Sequence, residues 1–233
     1  MPRRLAYNAK RPAGIPFTTP YAAEATMSKT TKKERREQTR AQLLEISTQL
    51  FSVHGFAAVT LRDIADEAKL NHSMIRYYFG DKESLWRECA AFVFERIAKE
   101  APKPTVEELE DDQVVAKRYI RSYVRYCARY PEHSRFMIQE SISGSERLRW
   151  VAENYIRPSH AETIRIIAHI SQQMGMGHLD PLTLLYMVTA MAQSNYLLAA
   201  EIQVAHGRDT LTDDAIEAHA EAIISMIFRT PTQ

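Results

Sequence analysis

The sequence has little of what disulfide frameworks, thiolate metal sites and β-sheets are made from. Cys89 and Cys127 are its only cysteines, each sits inside an apolar helical pattern, and no C-x-x-C pair occurs. That excludes a disulfide scaffold and a thiolate-held metal, and it fits the reducing cytoplasm. Only seven of 233 residues are glycine, and alternating β-branched runs are scarce. Both shortages point to an all-α chain. The opening residues lack the apolar core of a secretory signal. Enzyme signatures are missing too. None of the eight histidines falls in an H-E-x-x-H pattern, and His160, His169 and His178 step by nine, which scatters them around a helix. Gly175-Met-Gly177 has neither the preceding strand nor the third glycine of a dinucleotide fold, and nucleophile motifs are absent. No catalytic residue, metal or cofactor is therefore implied. No repeat of solenoid period is visible either.

Charge is present but unevenly placed. The net charge of +1 conceals a basic front and an acidic back: residues 1–80 hold 13 Lys+Arg and 7 Asp+Glu, the remainder 17 and 22. Such a division suggests that only the front meets a polyanion.

Residues 1–30 carry prolines at 2, 12, 16 and 20 and show no periodicity, so they are expected to be a disordered extension. Met27 begins "MSKTTKKERREQTR", which looks like a natural start in its own right. From Glu34 to His54 a helical stripe runs through Leu43, Leu44, Ile46, Leu50, Phe51 and Val53, with Gly55 placed for a left-handed cap. Thr60 opens a second helix, with Asp63 three residues on in a variant capping box. Its face of Leu61, Ile64, Ala65 and Ala68 stops near Lys69-Leu70. Asn71 is a good cap for a third, short helix. There Ile75, Tyr78 and Phe79 fall at i, i+3, i+4 and face inward, so His72, Ser73, Arg76 and Tyr77 face outward. A fourth helix starts at Asp81 and buries Leu85, Cys89, Phe92, Val93 and Ile97 before Pro102 and Pro104 break the chain.

Thr105 and Glu108 form a further capping box for a helix reaching about Tyr130. Its start is acidic (Glu107, Glu108, Glu110, Asp111, Asp112), and Lys117, Arg121, Arg125 and Arg129 follow at i+4 spacing. This charge order complements the helix dipole, so the basic stripe is expected to be a solvated face. Helical pieces at Glu132–Ser141, Arg147–Tyr155 and His160–Gln173 are separated by "SGS", "RP" and "GMGHLDP". From Leu182 to Ala200, 14 of 19 residues are apolar. Gln193, Ser194 and Asn195 cluster inside this stretch, which favours a buried or interface helix over a membrane span. The last helix, Asp213 to Arg229, carries Ile216, Ala220, Ile223 and Ile227 in one stripe.

Two short helices with a tight turn, the second exposing polar and aromatic residues, match the helix-turn-helix, whose second helix lies in the major groove. The stretch from Thr39 to Trp86 resembles the N-terminal domain of the TetR family of bacterial transcriptional regulators. The likeness is carried by Leu50-Phe51, Gly55, Thr60, Ile64-Ala65, Ala68, Tyr77, Phe79, Lys82, Glu83 and Leu85. Departures are Lys69 at a turn position often held by glycine, Asn71 as the cap in place of Ser or Thr, Ser73 at a position frequently small or glycine, and Arg76 where a tyrosine is common. The resemblance implies a helix-turn-helix DNA-binding domain over 31–80 and an all-helical effector-binding and dimerisation domain over 81–233. It implies a homodimer on a palindromic double-stranded operator, released by a small-molecule effector that the sequence does not identify. Thr60, Tyr77 and Lys82 would meet phosphates, and His72, Ser73 and Arg76 base edges. Among the middle helices, Tyr123, Tyr126, Gln139, Trp150, Tyr155 and Asn195 are candidates to line the effector pocket. Other classes that fit a basic all-α chain are a low-specificity nucleoid-type DNA coat and an all-α enzyme.

Overall fold

A computed structural model describes residues 31–105 and 112–228, and every regular element among them is helical. The order is α1 (Lys32–Ala58), α2 (Leu61–Ala68), α3 (His72–Phe79), α4 (Lys82–Glu100), α5 (Asp112–Arg129), α6 (Pro131–Ser143), α7 (Glu146–Val151), a π-helical turn (Ala152–Ile156), α8 (Arg157–Gln173), α9 (Pro181–Leu197), α10 (Ala199–His206) and α11 (Asp213–Ile227). The extension 1–30, the Glu108 half of the expected box with Thr105, the acids at 107, 108, 110 and 111, and Arg229 lie outside the described residues.

Local capping chemistry sets the front of the chain. Thr31 and Glu34 close a capping box on α1, and Thr60 and Asp63 close the expected one on α2. Asn71 caps α3 and Asp81 caps α4, each through a carbonyl or carboxylate oxygen that accepts a first-turn N–H. The turn between α2 and α3 is a Schellman motif: Leu70 N–H bonds to Ala65 O (2.9 Å) and Lys69 N–H to Asp66 O (3.2 Å). Lys69 stands in the left-handed region (φ 54°, ψ 38°), the only non-glycine with positive φ among the described residues.

The buried face of α1 differs from the apolar stripe. Leu43, Leu44 and Phe51 are core, Ile46 and Leu50 are half-buried, and Val53 is 54% exposed. Ser47, Thr48, Ser52 and Gly55 take the inner positions instead. Gly55 stands against Gln139 of α6, and α1–α6 is the most extensive helix pairing among the described residues. Gly55 has positive φ as expected, but with ψ 163° rather than a left-handed helical ψ. It kinks the helix at that point. A Cβ on Gly55 would stand 3.2 Å from Gln139 Oε1.

One apolar cluster runs without interruption from Ile64, Ile75 and Phe79 through Leu85, Trp86 and Cys89 of α4 to Phe136 of α6 and Val151 of α7. Trp86 and Phe136 stack at 5.0 Å within it. A second cluster joins α5 (Ile120, Val124, Cys127) to α9 (Ala192, Tyr196) and α11 (Ala220, Ile223, Ile224). Lys103 ties the chain after α4 to α8, donating from Nζ to Ser159 O (2.8 Å) and Oγ (2.6 Å).

Two expectations are corrected and a third is completed. "RP" does not separate helices: α7 runs through the π turn into α8, with Pro158 near the start of α8. Pro158 has no N–H to give and its ring crowds the preceding turn, and a wider π turn relieves that conflict. The stretch 182–200 is two helices rather than one. It breaks at Leu198, and Leu182, Tyr186 and Met187 are exposed on this chain. The basic stripe of α5 is exposed at Arg125 and Arg129 as expected, but α11 and the end of α4 supply it with carboxylates the helix itself could not reveal. Arg121 pairs with Glu217 (3.4 Å) and Glu221 (2.5 Å), Arg125 with Glu217 (2.5 Å) and Arg129 with Glu100 (3.9 Å).

The left-handed Lys69 gives a direct test of the turn. Glycine has no Cβ to strain there, so Lys69→Gly is expected to raise the unfolding free energy by up to about 1 kcal/mol. Urea unfolding measures it, and a loss of stability would show that the lysine side chain holds the turn.

Candidate nucleic-acid interface

The periodicity of α3 divides its eight residues between two environments. Ile75 is fully buried and Phe79 nearly so, while Tyr78 is half-buried. His72, Ser73, Arg76 and Tyr77 are exposed, Tyr77 by 63%. The structure therefore brings the four expected outward residues together on one face. Ser73 donates from Oγ to Asn71 Oδ1 (3.0 Å), which leaves the hydroxyl oxygen free to accept. Thr60 is exposed at the start of α2, but its backbone N–H and its hydroxyl both donate to Asp63 Oδ2 (each 2.7 Å). These bonds hold the Asp63 carboxyl below the usual carboxylate range.

Beside this face lies a group that sequence reasoning passed over. Lys32, Lys33, Arg35, Arg36 and Thr39, from the first turns of α1, line a surface concavity of about 650 Å³ with Tyr77 and Tyr78. The Arg36 guanidinium lies 5.4 Å from the Tyr77 ring centre, and Tyr77 meets Tyr78 edge to face at 5.3 Å. The signal was available in "TKKERREQTR", the densest basic segment of the chain. Behind α3, Arg40 of α1 spans from Phe79 (5.5 Å) to Glu88 of α4 (2.5 Å) and ties α1 and α3 to α4. Lys82, in the first turn of α4, is half-buried with Nζ 4.2 Å from the Phe56 ring centre. Its pKa lies below the usual lysine value, first through burial and then through Arg147, with Asp63 opposing.

The six expected pocket residues do not share one place. Tyr126, Tyr155 and Trp150 belong to a chain of rings: Tyr126–His133 (5.7 Å), His133–Phe94 (5.1 Å), Phe94–Tyr155 (5.0 Å) and Tyr155–Trp150 (5.6 Å). Tyr123 lies in the second core, where its hydroxyl accepts from Gln193 Nε2 (3.0 Å). Gln139 faces Gly55 at the α1–α6 contact, and the Asn195 carbonyl accepts from Thr210 (3.4 Å).

Alongside the ring chain is an ion pair that sequence reasoning missed. Arg96 Nη2 meets Glu132 Oε1 at 2.5 Å, with side chains 12% and 6% exposed. The guanidinium lies 4.0 Å from the Tyr130 ring centre and its Nε has no hydrogen-bond partner. A charge in the middle of an amphipathic helix and another beside a proline carry no pairing signal in one dimension. The Tyr126 hydroxyl donates to Val93 O (3.2 Å) and lies 2.7 Å from His133 Nδ1. Burial and the nearby Arg96 push the His133 pKa down to about 3. A neutral imidazole donating from Nδ1 to the phenol oxygen satisfies both groups.

Among the described residues no group of histidine, cysteine and carboxylate side chains could hold a metal ion, and no helix is long and apolar enough to cross a membrane.

Comparison with known proteins places these features. Residues 43–89 match the model for bacterial regulatory proteins of the tetR family, and residues 96–232 match the model for the C-terminal region of YcdC-like proteins, a TetR-type domain. The transcriptional dual regulator CecR of Shigella flexneri is 30% identical over 145 residues, 57% of this chain and 64% of its own. The regulator RutR of Escherichia coli K12 is 27% identical over 188 residues, 80% of this chain and 87% of its own. The match to CecR thus spans less than two thirds of that relative. Among solved structures, AibR in complex with isovaleryl coenzyme A and operator DNA superposes with a TM-score of 0.62 at 12% identity, covering 81% of this chain and 97% of that one. A variant of HlyIIR gives 0.61 at 23% identity, covering 82% and 97%. At these identities the likeness is one of fold.

The buried imidazole makes a checkable claim. A histidine whose folded pKa is depressed withdraws stability as pH falls below the unfolded value near 6.5, because only the unfolded chain takes up the proton. The His133 ring resonances are expected to show no titration midpoint between pH 5 and 8 by NMR. A midpoint near 6.5 would mean that the ring is solvated.

Proposed function

This chain belongs to the TetR family of bacterial regulatory proteins, and from that premise we propose that it is a sequence-specific transcriptional regulator, a repressor that holds a palindromic operator as a homodimer and leaves it when a small molecule enters the helical body. The observation that carries this reading is the two-faced α3, with His72, Ser73, Arg76 and Tyr77 outward over a buried Ile75 and Phe79. Residues 31–80 serve as the DNA-binding part, and 81–233 as the effector-binding and dimerisation part. The chain's relatives are transcriptional regulators, and we assign it no catalytic role. A regulator of this kind works in the cytoplasm, where its operator is.

In this reading α3 enters the major groove. Arg76 grips guanine O6 and N7, while His72 and Ser73 meet neighbouring base edges. Tyr77 and Lys82 supply a hydroxyl and an ammonium to phosphate oxygens. Thr60 reaches the backbone through the start of α2, since its own donors already serve Asp63. Lys32, Lys33, Arg35 and Arg36 extend the phosphate-binding surface beyond Tyr77.

Exposed apolar residues favour a second copy against α9 and α11. Leu182, Tyr186 and Met187 of α9 and Met226 of α11 are 45–67% exposed on a single chain. Pairing the two helices with their copies gives a four-helix interface that would bury these side chains. For the effector we favour the ring chain from Tyr126 to Trp150, where α4, α6 and the π turn meet, over the dispersed Tyr123, Gln139 and Asn195. A buried ion pair with an unsatisfied Nε is a feature that fold stability alone does not call for.

Substitution separates the two kinds of contact. Arg76→Ala is expected to relax specificity at one base pair per half-site by roughly 1–3 kcal/mol. Lys82→Ala is expected to weaken binding to every sequence alike and to reduce the salt dependence. Equal losses on specific and random duplex for Arg76→Ala would remove it from base readout.

A further inference from the structure

Phe56 lies in the last turn of α1, just past the kink at Gly55, and two cations share its ring. Lys82 Nζ is 4.2 Å from the ring centre, and the Arg147 guanidinium carbon is 3.7 Å from it. Arg147 comes from α7, in the body, and its guanidinium also lies 5.5 Å from the Trp86 ring centre. Each cation gains from the ring face, but two like charges on one ring repel. Some other attraction must hold Arg147 in place.

Two carboxylates do so. Arg147 Nε lies between the two oxygens of Glu140, 3.3 and 3.2 Å away, and Nη1 lies 3.6 Å from Glu83 Oε2. The Glu140 side chain is 3% exposed, and its Oε2 also accepts from Ser145 Oγ at 2.5 Å. Ser145 caps α7, so this carboxylate fastens the end of α6 to the start of α7 with Arg147 between them. Lys82 has no such anchor. The charges acting on it are Arg147, which disfavours its ammonium, and Asp63 of α2, which favours it. Arg147 is thus fixed by the body and Lys82 is free to respond.

We propose that Arg147 is a positioning residue for DNA binding: held by Glu140 and Glu83, it pins the Phe56 ring on which the Lys82 ammonium rests and so sets where that ammonium stands for the phosphate backbone. The orientation of a phosphate-seeking cation then depends on the α6–α7 turn. Without the guanidinium, Phe56 loses its cover and Lys82 relaxes toward Asp63. A displacement of the α6–α7 turn, whatever ligand causes it, acts on DNA affinity through the same two side chains. The inference rests on the reading of Lys82 as a phosphate contact.

A double-mutant cycle on the full chain tests it, with a mixed-sequence duplex as probe because phosphate contacts act on any sequence. Lys82→Ala is expected to weaken binding several-fold and to reduce the slope of log K against log salt by about one per half-site. Arg147→Met does the same in the wild-type background and changes little in the Lys82→Ala background. Phe56→Leu, which leaves Arg147 and its carboxylates in place, reproduces the loss and serves if Arg147→Met melts early. NMR of the Lys82 side chain shows its pKa rising in Arg147→Met. If Lys82→Ala alters neither affinity nor slope, the phosphate contact itself is refuted. If Lys82→Ala behaves as expected but the Arg147 and Lys82 losses multiply, or Arg147→Met leaves the slope unchanged, Arg147 does not act through Lys82.

Discussion

The structure depends on how closely α6 can lie against α1. Ser47, Thr48, Ser52 and Gly55 take the inner positions of α1, and α6 answers with Phe136, which stacks on Trp86 of α4. Ser47 Oγ is buried without a hydrogen-bond partner, and the Thr48 hydroxyl meets the Cys89 thiol of α4. Leaving a hydroxyl unpaired costs on the order of 1–3 kcal/mol, so the small size of Ser47 must return more in packing than its polarity forfeits. Filling that joint with larger side chains would push α6 outward. The helix-turn-helix and the body would then no longer share one core.

That shared core gives the recognition face its rigidity. Burying a large apolar side chain is worth roughly 1.5–3 kcal/mol, and Ile75, Phe79, Trp86 and Phe136 belong to one continuous cluster. α3 is only eight residues long, too short to be stable alone in water. Its cap at Asn71 and its two buried residues hold it, and the outward side chains cost it nothing in packing. The basic start of α1 joins the same surface because Arg36 lies against Tyr77. Helix and basic turn thus form one positively charged, aromatic face, as a duplex requires.

Local chemistry was legible in the sequence, and contacts across the chain were not. The capping box of Thr60 and Asp63, the caps at Asn71 and Asp81, the positive φ at Gly55 and the two faces of α3 each depend on residues within a few positions of one another. All were readable for that reason. The left-handed Lys69 raised the right question, which the Schellman geometry answers. By contrast, Val53 continues an apolar period yet is exposed, because Ser47, Thr48 and Ser52 take the inner positions of α1. The carboxylates that pair with the α5 arginines were not legible, because Glu217 and Glu221 are about a hundred residues away, as the pairing of Arg121 with Glu221 shows. Pro158 looked like a break, and only the π turn reveals how a helix passes it. Arg96, Glu132 and Arg147 carried no one-dimensional signal at all. Their roles come from partners on other helices.

The central claim is that the outward face of α3 reads a sequence in each of two half-sites. Selection of bound duplexes from a random pool by the full chain, followed by counting chains per selected duplex, tests it most directly. The account predicts an enriched inverted repeat bound by an even number of chains, with half-site centres one helical turn apart or a multiple of it. Recovery of duplexes with no shared sequence, bound as tightly as the starting pool, would contradict it and leave a sequence-indifferent DNA coat in its place.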